Sequence, residues 1–246
     1  MEPVYRQTIT LNDLHVDCFR RLKPSTMLYF IQDIAGSHAM ALGTGWETLA
    51  ENDLFWALIR HKIQVTRLPI AGQTITIETW PMPTTRVAYP RATVAYDEEG
   101  NELFRSIALW VLMNLKTRAM VLPGKSGVTV NGLTRGTELE LPPSLLPKTL
   151  DNVVSRTVCY TELDRNGHMN NTHYMNWIGD LLPSAFHKEH PLKELTMCYL
   201  SESLEGQTLH MNWELDETGI LSVDASRDDP ETVGKTHRVF AATARF

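Results

Sequence analysis

Residues 164–171 read Asp-Arg-Asn-Gly-His-Met-Asn-Asn and form the densest polar segment of the 246-residue chain. An amphipathic helix is predicted directly after them, because apolar residues recur there at the three- and four-residue spacing of one helix face. Those apolar residues are Tyr174, Trp177, Ile178, Leu181 and Leu182. Residues 170–172 suit the start of this helix, since Asn and Thr side chains cap backbone N–H groups. A polar loop that leads into a half-buried helix is therefore predicted.

The first half of the chain has the same order of elements. A comparable apolar face, ending at the helix-stopping Gly43, is formed by Leu28, Ile31, Ala35, Ala39 and Leu42. Strand-like segments follow each predicted helix, at 55–68, 73–80, 91–96 and 103–115 in the first half and at 195–203, 207–215, 220–226 and 237–246 in the second. The sequence thus predicts one helix followed by an antiparallel meander, twice, which is an α+β arrangement.

Residues shared between the two halves support a duplication of one structural unit. Gly72-Gln73-Thr74 recurs as Gly206-Gln207-Thr208 at the same place in the strand order, and the spacing from Asp17 to Asp33 equals that from Asp164 to Asp180. Residues 123–152 are rich in Pro and Gly, which interrupt helix and strand periods. We therefore expect an N-terminal repeat at 1–122, a linker at 123–152 and a C-terminal repeat at 153–246.

Composition narrows the class of protein. The formal charge of −6 argues against nucleic-acid binding, which needs a concentrated basic surface. The longest apolar segments, such as 107–115, are too short to cross a bilayer, and no basic-then-apolar leader opens the chain. The three cysteines form no C-x-x-C pair, and no histidine spacing completes a metal site. We expect a soluble, cytoplasmic protein without membrane insertion, metal or cofactor.

Two interpretations of the polar segment remain open from residue types alone. It could be a solvated loop with an Asx turn and a helix cap. It could also be a catalytic site, in which Asp164 or Glu202 acts as base or orienter and His168 moves a proton near neutral pH. Asn166 would then donate to an oxyanion or hold a water, and N–H groups at the helix start would stabilise negative charge on a carbonyl oxygen.

The motif Asp164-x-Asn166-x-His168-Met-Asn-Asn-x-x-Tyr174-x-x-Trp177 resembles the signature of acyl-[acyl-carrier-protein] thioesterases of the plant Fat type and their bacterial relatives. The resemblance extends along nearly the whole chain. It includes residues 32–39 (Gln-Asp-Ile-Ala-Gly-Ser-His-Ala), 56–58 (Trp-Ala-Leu), 72–74, 78–81 (Glu-Thr-Trp-Pro) and 110–114 (Trp-Val-Leu-Met-Asn).

This resemblance implies a tandem hotdog fold, in which each repeat is a long helix wrapped by a curved antiparallel sheet. It implies hydrolysis of fatty acyl thioesters carried on acyl carrier protein, with release of free fatty acid and no cofactor. The catalytic residues it implies are Asp164, Asn166, His168 and Glu202. The first repeat would bind the acyl chain and the second would carry the catalytic loop. A homodimer is left open.

One position departs from the family pattern. Many plant members carry a cysteine next to the glutamate, where this chain has Ser203. Its absence favours attack by water assisted by Glu202 or Asp164, although a serine nucleophile at Ser203 is an alternative. The sequence also leaves open an acyl-CoA or aryl-CoA thioesterase and a non-catalytic acyl-binding hotdog protein. A rim suited to an acidic carrier protein could draw on Arg20, Arg21, Lys23, Arg60, Lys62 and Arg67.

Overall fold

The computed structural model describes residues 3–135, 139–232 and 234–246. The chain divides into two compact units, Met1–Pro142 and Pro143–Phe246. The boundary falls within the stretch 123–152 that the sequence suggested as a linker, and residues 136–138 of that stretch lie outside the described residues. Between a short helix at Pro123–Ser126 and a strand that starts at Asn152, the described part of this stretch holds neither helix nor strand.

The first unit combines helices with an antiparallel sheet. Its helices are α1 (Pro24–Ala41), α2 (Trp46–Ala50) and α3 (Pro123–Ser126). Its strands are β1 (Tyr5–Thr10), β2 (Leu54–Val65), β3 (Thr74–Pro81), β4 (Tyr89–Tyr96), β5 (Glu102–Asn114) and β6 (Met120–Val121). They pair in the order β1-β3-β4-β5-β2, with β6 added to β5. Helix α1 packs against β1 and β3.

Helix α1 begins and ends where local chemistry favours it. Pro24 occupies the first turn, where its missing N–H costs nothing, and Gly43 beyond the end has φ 73°, a conformation that glycine adopts freely. The buried face of α1 consists of Met27, Leu28, Phe30, Ile31, Ile34, Ala35 and His38. Ala39 and Leu42, which the sequence placed on this face, are only half-buried, because the buried face passes through Ile34 and His38 in the last turns.

The second unit repeats this design with less helix. Its helices are α4 (His173–Gly179) and α5 (Ser184–Glu189). Its strands are β7 (Asn152–Thr157), β8 (Glu194–Tyr199), β9 (Thr208–Leu215), β10 (Ile220–Asp228) and β11 (Thr236–Arg245), paired antiparallel in the order β8-β11-β10-β9-β7. The predicted α+β arrangement of helix followed by antiparallel strands is confirmed in both units.

Helix α4 is shorter than the long helix expected for the second repeat. Leu182 is buried as its spacing predicted, but it lies beyond Gly179, where the helix ends. Pro183 explains the interruption, because proline disfavours helical backbone in the residue before it. None of the helices in the described part of the chain is both long and apolar enough to span a bilayer.

Strands β1 and β7 were not predicted, and they share a position. Each ends the strand order of its own unit, pairs with a single neighbour, and has a largely exposed or alternating burial pattern. Such edge strands have no continuous apolar signal. Each is followed by a 3₁₀ turn, at Asp13–His15 and at Tyr160–Glu162. The repeated structure therefore begins earlier in each half than the matching residues of the sequence indicated.

His61 on β2 is a polar side chain buried without a hydrogen bond among the described residues. It is 3% exposed, and neither of its ring nitrogens has a hydrogen-bond partner among the described residues. Burial penalises the charged imidazolium and lowers the pKa of His61 to about 4. The side chain is therefore neutral in the folded protein above about pH 4.

This burial predicts a pH-dependent cost. In the unfolded chain, this histidine binds a proton below its ordinary pKa of about 6.5. In the folded protein, His61 binds a proton only below about pH 4. The contribution of His61 to the free energy of unfolding should thus fall by about 2 kcal/mol between pH 7 and pH 5. Urea unfolding of the wild type and of His61→Leu at both pH values measures it.

The difference between wild type and His61→Leu should shift by that amount, since leucine takes up no proton. His190→Leu is the control, because it replaces a histidine that is exposed in the folded protein. If His61→Leu keeps the wild-type pH dependence, then His61 is not held neutral by burial.

Candidate active site

The Asp164 side chain orders the loop before α4. Its Oδ1 accepts hydrogen bonds from the backbone N–H of Asn166 at 2.8 Å and of His168 at 3.2 Å. The backbone N–H of Asp164 donates to the carbonyl of His168 at 2.7 Å, which closes the turn. Gly167 has φ 75°, so the turn needs the left-handed conformation that glycine adopts without strain. Asp164 thereby holds Asn166 and His168 on one tight turn.

Glu202 reaches this loop from the segment that follows β8. The N–H of Met169 donates to the carbonyl of Ser203 at 2.8 Å, and His168 forms an isolated antiparallel bridge with Leu204. These backbone contacts place Glu202 Oε2 3.4 Å from His168 Nε2. The His168 side chain is 18% exposed and the Glu202 side chain 45%, so the pair is sheltered but reachable from outside.

Asn166 completes the group. Its side-chain Nδ2 donates to Asp164 Oδ2 at 3.3 Å, and the residue is exposed. The structure therefore brings together all four residues that the sequence singled out, with Asp164, Asn166 and His168 on one turn and Glu202 beside the imidazole.

Ser203 is buried and serves packing. It is 1% exposed, and its Oγ accepts a hydrogen bond from the Tyr174 hydroxyl at 3.0 Å. Burial raises the pKa of Tyr174 to about 12, so the hydroxyl keeps its proton and donates it to this bond. A nucleophile must reach its substrate, and a serine enclosed in this way cannot. The geometry disfavours the alternative of a serine nucleophile.

Glu162 supports the site, and sequence inspection missed it. Its Oε1 accepts from Trp177 Nε1 at 2.6 Å, its Oε2 accepts from the N–H of Cys159 at 2.9 Å, and its carbonyl accepts from the N–H of Asn170 at 2.8 Å. Glu162 thus ties both ends of the polar loop to α4. No spacing rule marks this residue, because its partners are fixed only once the loop has folded.

The start of α4 offers fewer N–H groups than expected. Thr172 N–H donates to Asn170 Oδ1 at 2.9 Å, and His173 N–H donates to the carbonyl of Asn170 at 3.0 Å. The N–H groups of Met169 and Asn170 also have partners. Several donors at this helix start are therefore already used within the protein, and the expectation that the start stabilises an oxyanion stays a prediction. Asn166 is exposed, and its side-chain amide is a further N–H donor at this loop.

The first unit contains a copy of this turn. Asp17 Oδ1 accepts from the N–H groups of Phe19 and Arg21, both at 2.9 Å, and Asp17 N–H donates to the carbonyl of Arg21 at 2.7 Å. Arg20 has φ 64°, the conformation that Gly167 adopts in the second unit. The aspartate is therefore part of a duplicated scaffold that forms whether or not catalytic side chains are present.

The side chains on the two turns differ. Phe19 and Arg21 occupy the positions of Asn166 and His168, and Arg21 pairs with Asp17 at 3.4 Å. Counted back from the paired glycines Gly72 and Gly206, the position of Glu202 is filled by Leu68. An amide and an imidazole therefore occur on the turn of the second unit and not on that of the first, and only the second unit brings a further carboxylate, Glu202, beside its turn.

This arrangement is suited to hydrolysis. A carboxylate beside an imidazole can accept a proton from a water molecule and return it to a leaving group. An amide donor on the same turn can stabilise the oxyanion that forms when a carbonyl is attacked. Within the described part of the chain, no group of three or more His, Cys, Asp or Glu side chains is arranged to hold a metal ion.

Comparison with protein families matches both units. Residues 2–122 match the model of the acyl-ACP thioesterase N-terminal domain, and residues 147–239 match that of the C-terminal domain. Among curated relatives, the chain is 27% identical to the chloroplastic dodecanoyl-[acyl-carrier-protein] hydrolase of Cinnamomum camphora, over 81% of this chain and 56% of the relative. It is 26% identical to the chloroplastic palmitoyl-acyl carrier protein thioesterase of Gossypium hirsutum, over 81% and 52%. The chain spans about half the length of these relatives.

Solved structures show the same fold. An acyl-ACP thioesterase from Bacteroides thetaiotaomicron superposes with a TM-score of 0.88 at 24% identity, covering 99% of this chain and 98% of that one. The 12:0-ACP thioesterase of Umbellularia californica superposes with a TM-score of 0.82 at 22% identity, covering 100% and 97%. The predicted tandem hotdog fold is confirmed.

Proposed function

The chain belongs to the acyl-ACP thioesterase family, and from this premise we propose that it hydrolyses fatty acyl thioesters of acyl carrier protein to free fatty acid and carrier thiol. The contact between His168 and Glu202 carries the proposal, because it lies in the part of the chain that matches the C-terminal family domain. A non-catalytic acyl-binding protein would have no need of this pair on a turn that also presents Asn166.

We assign attack on the thioester carbonyl to a water molecule. Glu202 accepts one proton as the water oxygen bonds to the carbonyl carbon, and His168, 3.4 Å away, orients the Glu202 carboxylate. The Asn166 amide donates to the carbonyl oxygen as it becomes an oxyanion. The C–S bond then breaks, and the proton held by Glu202 passes to the departing sulfur. No covalent acyl-enzyme forms in this sequence.

Asp164 is assigned a positioning role. Its oxygens already accept hydrogen bonds from two backbone N–H groups and from the Asn166 amide. These bonds commit both oxygens of the carboxylate to the turn itself. Asp17 makes the same backbone bonds on a turn without histidine or amide, which supports the structural assignment. Glu202 is the carboxylate left to accept the proton.

We assign the acyl chain to the interior of the first unit. The apolar face of α1 includes Met27, Phe30 and Ile34, and the turn of this unit carries neither the amide nor the imidazole of the site. Burial of an acyl chain gains about 0.8 kcal/mol per methylene, so the depth of the apolar interior would set the chain-length preference.

The carrier follows from family membership and from surface charge. Of the basic residues considered for a carrier-protein rim, Arg21 and Arg67 pair with Asp17 and Asp97, which reduces the attraction they offer. Lys23 lies beside Leu14, whose carbonyl it contacts at 3.2 Å and whose side chain is 81% exposed. A cation next to an exposed apolar side chain suits an acidic protein partner.

We place the reaction in the cytoplasm. All three cysteines are free, and Cys18 and Cys159 are exposed, which suits a reducing compartment. The homodimer stays a prediction.

Carrier preference is the direct test of the proposed function. With one acyl chain presented on acyl carrier protein and on CoA, we expect kcat/KM to be at least about 10-fold higher for the carrier protein, because only the protein meets the charged and apolar surface. Release of free thiol measures both reactions. A higher value with CoA would favour the acyl-CoA alternative, and no turnover of either would favour a non-catalytic acyl-binding protein.

Substitution of the paired residues tests the chemistry. Glu202→Ala removes the proposed base and His168→Ala removes the residue that orients it, so each should lower kcat about 100-fold or more without lowering the unfolding midpoint. Cys198→Ala is the matched control. Its Sγ is buried and contacts the carbonyl of Pro143 at 3.4 Å, so this variant should keep wild-type turnover. Loss of turnover in Ser203→Ala together with an active Glu202→Ala would contradict the assignment.

A further inference from the structure

Arg227 lies near the end of β10 and reaches the segment that carries Glu202. Its Nη1 donates to the backbone carbonyl of Glu202 at 2.5 Å, and its Nη2 donates to Ser201 Oγ at 3.2 Å. Its positive charge also lowers the pKa of the Tyr174 hydroxyl, although burial raises that pKa by more. Arg227 therefore belongs to the surroundings of the site, although no part of the mechanism uses it.

The segment that Arg227 holds has no strand of its own. Strand β8 ends at Tyr199, and Glu202 lies beyond it with a side chain that is 45% exposed. On one side of Glu202, Ser203 is fixed by its bonds to Met169 and Tyr174. On the other side, the contacts of Arg227 hold Ser201 and the Glu202 carbonyl. The backbone of Glu202 is thus fixed from both directions.

A similar contact occurs in the first unit. Arg67 Nη2 lies 2.9 Å from Asp97 Oδ2. Arg67 stands five residues before Gly72, just as Ser201 stands five residues before Gly206, so the two residues occupy equivalent positions. In the first unit, this segment continues into a position that carries no catalytic group.

The other partners are equivalent as well. Asp97 directly follows Tyr96, which pairs with Thr76 on β3, and Arg227 directly follows Ser226, which pairs with His210 on β9. Both paired residues lie four positions after their shared glycine. The contact therefore occurs at the same place in both units, but the arginine is at a different one of the two positions. It is Arg67 before the shared glycine in the first unit and Arg227 after the paired strand residue in the second. In the second unit it comes from the strand and binds the backbone of Glu202 itself.

We propose that Arg227 is a positioning residue that holds the Glu202 carboxylate beside His168. Arginine suits the task because its planar guanidinium presents two N–H donors at a fixed separation, here to a carbonyl and a hydroxyl. The backbone of Glu202 is held directly, so its side chain starts from a defined place and stays partly exposed to substrate. The inference rests on the proposed function, since it acts through Glu202.

A double-mutant cycle on kcat separates this role from general support of the fold. Arg227→Met should lower kcat about 10- to 100-fold, the scale expected for a misplaced catalytic group, with little change in KM or in the unfolding midpoint. In a Glu202→Gln background the same substitution should change kcat by less than about 2-fold, because the group it positions is already gone. Arg227→Lys keeps the charge and should recover part of the loss.

Asp97→Asn is the matched control, because it weakens the equivalent contact in the first unit and should leave kcat within about 2-fold of wild type. If Arg227→Met is unstable, Ser201→Ala removes one of the two contacts and should give a smaller loss that also disappears in the Glu202→Gln background. An equal loss in both backgrounds would overturn the positioning role. A wild-type protein without turnover, or a fully active Glu202→Gln, would overturn the proposed function instead, and both are visible before Arg227 is changed.

Discussion

Two hydrogen bonds accepted by Asp164 Oδ1 form the turn on which the rest of the candidate site is built. They draw the N–H groups of Asn166 and His168 onto one carboxylate oxygen, and the turn needs Gly167 to close. The backbone then continues through Met169, which bonds to the segment of Glu202. The local turn thus helps to set the distance between the side chains of His168 and Glu202, which are 34 residues apart in sequence. The geometry of the proposed site therefore follows from bonds within the protein itself.

The duplicated turn at Asp17 separates scaffold from chemistry. Both aspartates bind the N–H groups two and four residues ahead, yet only the second turn presents an amide and an imidazole. A motif-based interpretation gives all four predicted residues similar weight. The comparison between units instead assigns Asp164 to the turn and leaves Glu202 as the proton acceptor in our proposal.

Much of the fold could be predicted from the sequence, because apolar periodicity reports burial. Buried Tyr174 and Trp177 and the long strands β2 and β5 were predicted in this way. Strands β1 and β7 were not predicted, because an edge strand buries too few side chains to leave an apolar pattern.

Other features depend on contacts that the sequence does not show. Leu182 was predicted to be buried and helical; it is buried, but Pro183 prevents a helix there. Glu162 and Arg227 could not be found, since their partners meet them only after folding. His168 and Glu202 were grouped by residue type and by family resemblance, and no spacing in the sequence predicted their contact.

Direct attack by water, with Glu202 as base, is the central claim, and one single-turnover experiment in oxygen-18 water tests it. Enzyme in excess over acyl carrier protein thioester is quenched at intervals, and mass spectrometry follows the label in the fatty acid and in the intact protein. Our account predicts one labelled oxygen in the fatty acid, none in the protein, and no protein species heavier by an acyl group. Transient acyl-enzyme, or label in the Glu202 carboxylate, would contradict it.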